Sequence, residues 1–86
     1  MHLIQIADVS TPLHRQYIKG PRTPKDVARD GYGFTADPAA AWPFASAALA
    51  QAKARIVDRH MGWPPCLVVT EAPPAAVKTL GLRLTR

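Results

Sequence analysis

Ala47-Ala48-Leu49-Ala50-Gln51-Ala52-Lys53-Ala54-Arg55-Ile56-Val57-Asp58-Arg59-His60 is the stretch on which the fold turns. Alanine, leucine, glutamine, lysine and arginine are strong helix formers, and no Gly or Pro interrupts them. The run predicts the main helix of the chain, with Ser46 as its N-cap and Gly62 as its C-terminal cap. Arg59 and His60 stand in the last turn, where positive charge opposes the helix dipole. Ala48, Leu49, Ala52, Ile56 and His60 recur at helical spacing, which predicts them on the inward face. Gln51, Arg55, Asp58 and Arg59 then fall on the outward face. So many alanines imply a helix that approaches a sheet closely.

Outward from this helix, the chain reads as short extended pieces. Residues 3–9, LIQIADV, place Ile4 and Ile6 on one face of a strand. Ser10-Thr11-Pro12 turns the chain, and residues 13–19, LHRQYIK, predict a second strand in a hairpin with the first. Gly20-Pro21-Arg22-Thr23-Pro24 ends it. Residues 25–31 fit a loop or a single helical turn, and 32–36, YGFTA, a short third strand. Asp37-Pro38 opens a turn over 38–42, with Asp37 accepting backbone N–H bonds and Pro38 in the first helical position. Pro43 either separates this turn from the long helix or opens that helix. After Trp63-Pro64-Pro65, residues 66–70, CLVVT, form an apolar run that predicts the central strand. Leu80, Leu82 and Leu84 alternate with Gly81, Arg83 and Thr85, the pattern either of a last edge strand able to pair with a second chain or of a frayed terminus. The expected fold is α+β: a small antiparallel sheet of three to five short strands with one main helix packed on one face. At 86 residues, a single domain over 1–86 is expected.

Hydrophobic residues make up 48%, in the globular range, and the 9 prolines and 5 glycines punctuate the chain into short elements. The formal charge is +5, and it is uneven: five basic residues against four acidic in 1–43, six against two in 44–86. A basic surface attracts phosphate backbones or acidic protein faces. Cys66 is the single cysteine, so no internal disulfide forms, which suits a reducing compartment. MHLIQIADVS has neither a basic n-region nor a long apolar core, and no run reaches the ~18 apolar residues of a membrane span. A cytoplasmic protein without membrane contact is expected.

The segment Tyr32–His60 combines Gly33-Phe34-Thr35, Asp37-Pro38, then Phe44 and Ser46 entering an alanine-rich helix. It resembles small uncharacterised proteins of bacteriophages and prophages, a group in which anti-CRISPR inhibitors are the best known. The resemblance covers about a third of the chain. It implies strands before and after a single helix, and the function of a small inhibitor that binds a host protein such as a CRISPR effector.

No motif for catalysis, metal or cofactor stands out. His14 could face Asp8 across the first hairpin, but no third group at fixed spacing would act as nucleophile. His2, His14, His60 and Cys66 lack CxxC or HxxxH spacing, so no metal is expected. Gly20–Lys25 lacks the GK[ST] of a P-loop, and its prolines remove the N–H groups that would cradle phosphate. The residues available to a partner are therefore cations and aromatics: Arg22 and Lys25 on a rigid loop, Lys53, Arg55 and Arg59 on the helix, and Trp63 at its end. Of the large aromatics Tyr32, Trp42, Phe44 and Trp63, Phe44 and at least one of the tryptophans are expected in the core. The leading expectation is a non-enzymatic protein that binds a host protein. The alternative is non-specific nucleic-acid binding through the basic helix face.

Overall fold

A computed structural model describes residues 1–7, 10, 12–20, 23–61 and 67–84, with the backbone alone at 30, 60, 61, 83 and 84. The elements run β1 (His2–Ile6), β2 (Tyr17–Lys19), α1 (Pro24–Asp30), β3 (Gly33–Thr35), a 3-10 turn (Pro38–Ala40), α2 (Ala47–Met61), β4 (Leu67–Glu71) and α3 (Pro74–Leu84). The four strands form one antiparallel sheet in the order β3-β2-β1-β4. This is the α+β architecture expected, with α2 as the main helix over one face.

Three parts of the sequence reading need correction. First, the run beginning at Leu67 is an outer strand, and β1 occupies the centre. β1 is the more deeply buried of the two: Leu3, Ile4 and Ile6 are fully covered on both faces, whereas Val68 of β4 is 43% exposed. Second, residues 80–84 are helical and leave no C-terminal edge strand. Pro74 stands first in α3, where its missing N–H costs nothing. Ala76 and Leu80, four apart, then pack against Leu3 on the sheet face opposite α2. Third, residues 25–30 belong to a full helix, with Gly31 as its C-cap. Thr23 caps α1: its hydroxyl oxygen accepts from Asp26 N–H at 3.1 Å and donates to the Asp26 carboxylate at 2.8 Å. Gly31, at φ 73°, ends it in the left-handed region open to glycine.

The hairpin is also shorter on its second arm than expected, because Leu13–Gln16 is turn and Arg15 adopts φ 68°. Asp37 caps its 3-10 turn by accepting from Ala39 N–H at 2.9 Å. Ser46 caps α2 by accepting from Leu49 N–H at 3.2 Å. The Asp8–His14 pairing and the Gly62 cap involve residues outside those described.

The sheet separates two clusters. On the α2 side, Ile4, Ile18, Ala50, Ala54 and Val57 meet the half-buried Phe34, Phe44, Leu67 and Val69. On the other, Leu3, Ala41, Ala76 and Leu80 pack with Met1 and Tyr17. Full burial of a Leu, Ile or Val side chain contributes about 1.5–3 kcal/mol, and six such side chains carry the fold. Between β1 and β2 the segment Ala41–Phe44 is wedged. Trp42 N–H donates to Ile18 O at 2.9 Å, and Phe44 exchanges hydrogen bonds with His2 at 2.9 and 3.0 Å. That wedge carries Trp42 onto the α2 side of the sheet.

α2 is rotated from the expected orientation. Its inward residues are Ala50, Ala54 and Val57, while Leu49 is 57% and Ile56 52% exposed. The reason is bulk: Phe34, Phe44 and Trp42 pack against this cluster, and the helix meets them with the small side chains of Ala50, Ala54 and Val57. At 100° per residue this leaves two distinct flanks. Leu49, Lys53 and Ile56 lie on one, Gln51, Arg55 and Asp58 on the other.

Candidate binding cleft

The flank of α2 that carries Lys53 and Ile56 faces α1 across an open cleft of about 430 Å³. Such a volume is in the range of small-ligand and side-chain pockets. α1 supplies Pro24, Val27 and Ala28, and the loop after it supplies Tyr32. Trp42 forms the floor.

Trp42 is placed by contacts on several sides. Its backbone is pinned to β2 by the bond to Ile18. Its ring lies directly on Gly20: a Cβ at that position would stand 2.5 Å from Trp42 Cδ2 and 2.6 Å from Cε3. No side chain other than hydrogen permits this approach. The Phe44 ring lies 5.4 Å away, tilted by 32°. Over the cleft, Lys53 Nζ sits 4.7 Å from the Trp42 ring centroid and 5.9 Å from that of Tyr32. The ammonium is thus held by the negative faces of two rings. Its stem leaves α2 on the same side as Ile56, so the wall of the cleft is aliphatic with one cation on it.

Of the residues singled out in the sequence, Lys53 alone lines this cleft. Lys25 is exposed on α1, next to Pro24 in the chain, and does not line the cleft. Arg55 and Arg59 are exposed, but Arg55 points toward β4, 200° around the helix from Lys53. The three cations of α2 therefore do not form one face. Arg22 and Trp63 lie outside the described residues. Pro24, Val27, Tyr32 and Ile56 were not expected to meet: they come from α1, the loop after it and α2, and only the placement of α1 across the cleft from α2 brings them together.

Arg29 and Asp26 form an exposed pair at 3.4 Å, one turn apart on α1, of the kind worth at most about 1 kcal/mol. Asp58 has its carboxyl pushed above the usual value by desolvation. Among the described residues no three His, Cys, Asp or Glu side chains gather as metal ligands, and no helix is long and apolar enough to cross a membrane. No family model matches the chain, and neither a curated protein nor a solved structure is significantly similar to it.

Proposed function

We propose that this chain is a small, non-enzymatic binding protein that seats a segment of a partner protein in the cleft between α1 and α2. The observation that carries this reading is the open apolar wall of Ile56 beside the immobilised Trp42, a rigid aromatic surface with a cation on it. Tryptophan and tyrosine are among the side chains that dominate protein interfaces. The segment that fits presents one aliphatic or aromatic anchor to Trp42 and Ile56. An acidic residue beside the anchor would meet Lys53, in keeping with the net charge of +5. Tyr32, Trp42, Lys53 and Ile56 all lie in the stretch that resembles phage and prophage proteins. A phage-encoded inhibitor acting on a host protein such as a CRISPR effector is the biological form this reading takes.

The test is a pull-down from host lysate, with and without nuclease, comparing wild type, Ile56→Asp and the Arg55→Glu/Arg59→Glu pair. All of these substitutions are at exposed positions, so the fold is expected to persist. A protein retained after nuclease and lost only with Ile56→Asp supports the cleft. Nucleic acid recovered in a salt-sensitive manner, and lost with the arginine pair, would overturn it in favour of phosphate binding.

A further inference from the structure

β4 ends the strand order, with no described strand beyond it, and its register fixes which way its backbone faces. His2 and Ile6 donate their N–H groups toward Phe44 and Gln16, on the β2 side of β1. Leu3 and Gln5 therefore face β4, where they pair with Thr70 and Val68. Ala72 N–H donates to Met1 O at 2.9 Å and continues this register. By alternation, Leu67 and Val69 turn their N–H and C=O groups away from the sheet. Natural edges are guarded by lysine, proline, bulges or covering elements. Leu67-Val68-Val69-Thr70 contains neither lysine nor proline, and no described strand lies beyond it.

The side chains around this edge are self-complementary. Val68, on the sheet face away from α2, is 43% exposed. On the α2 side, a groove joins β4 to the second flank of the helix, where Gln51, Arg55 and Asp58 stand over Leu67–Val69. Arg55 and Asp58 are opposite charges about one turn apart, and Asp58 is partly desolvated with no ion pair to another described residue. A surface that presents both a cation and an anion in this way matches a rotated copy of itself.

We infer that the β4 edge seats a second copy of this chain, the two β4 strands pairing antiparallel about a two-fold axis through Val68. Leu67 then exchanges backbone hydrogen bonds with the partner's Val69, and Val68 packs on the partner's Val68 in the closely spaced pair at the axis. The axis stands perpendicular to the sheet, so both α2 helices remain on one face and lie side by side. The rotation sets Arg55 against the partner's Asp58 and Asp58 against the partner's Arg55. This is an isologous interface, closed at two copies. It does not depend on what the α1–α2 cleft binds, because the cleft is on the other flank of α2 and stays open at each end of the assembly.

Sedimentation equilibrium of the full chain tests this. Wild type is expected to sediment at twice 9.3 kDa. Val68→Glu, which sets like charges together at the axis, is expected to sediment as a monomer with an unchanged circular dichroism spectrum. Arg55→Asp and Asp58→Arg are each expected to weaken dimerisation by about tenfold or more. The double swap Arg55→Asp/Asp58→Arg is expected to restore it. A wild type that stays monomeric to about millimolar concentration would overturn the inference. So would a dimer that survives Val68→Glu, or a double swap no tighter than either single change.

Discussion

Gly20→Ala puts one methyl group where the Trp42 ring already lies. The new Cβ would stand 2.5, 2.6 and 2.8 Å from Trp42 Cδ2, Cε3 and Cγ, far inside the ~3.5–4.0 Å of a carbon–carbon contact. These are atoms at the root and fusion of the indole, so a small torsion does not clear them. The ring must shift by about an ångström, away from Phe44 and from Lys53. Overpacking of this kind costs about 1–3 kcal/mol. Glycine to alanine also stiffens the unfolded chain, which offsets about 0.4–1 kcal/mol of that. The net loss is roughly 1–2 kcal/mol, which for a domain of this size lowers Tm by about 4–16 °C. Thermal unfolding followed by circular dichroism reads this loss, and tryptophan fluorescence reports the ring. The double mutant Gly20→Ala/Trp42→Leu supplies the decisive comparison: alanine should cost far less once the indole is gone. A Tm equal to wild type for Gly20→Ala, or full additivity in the double mutant, would refute the stacked arrangement and the cleft floor with it.

Lys53→Met keeps the aliphatic stem and removes the charge over Trp42 and Tyr32. It is expected to lose about 0.5–1 kcal/mol, read as a lower Tm, whereas Lys53→Arg retains most of it. Thr23→Ala removes the cap of α1 and costs about 1 kcal/mol locally. Hydrogen exchange should find the Asp26 amide and its α1 neighbours less protected, with β1 amides unchanged. Asp58 has a folded-state pKa raised by desolvation, so folding binds extra protons there. Its unfavourable contribution is absent below the unfolded pKa and appears as pH rises through the folded one. In the monomeric Val68→Glu background, Asp58→Asn should therefore raise stability slightly at pH 7 and leave it unchanged at pH 3 in urea titrations.

The sequence revealed elements better than their arrangement. α2, β1, β3 and the Asp37 and Ser46 caps were legible because propensity and capping act over a few residues. The rotation of α2 was not. Alanine at 48, 50, 52 and 54 gives no contrast between faces, so Leu49 and Ile56 misdirected the reading, while the bulk that displaced them comes from Phe34, Trp42 and Phe44. β4 looked central because its run is uninterrupted, yet strand order is set by pairings across most of the chain. The alternating leucines at 80, 82 and 84 imitated a strand, although Pro74 and Ala75-Ala76 already offered a helix start. α1 had a readable cap in Thr23-Pro24 with Asp26. Of the cleft, Lys53 was visible as a charge, but its place over Trp42 depends on Gly20 and on the wedge at Ala41–Phe44.

The central position of β1 also dictates when the protein can be finished. β1 spans residues 2–6, and its long pairing is with 67–71, from the other end of the chain. During synthesis at roughly 5–20 residues per second, several seconds pass before that partner exists. Until then Leu3, Ile4 and Ile6 have the short β2 strand, the Phe44 bridge and, once it is made, α2 beside them, but no strand on the β4 side of β1. The nascent chain therefore carries its most apolar strand with one edge unpaired until residues 67–71 are made.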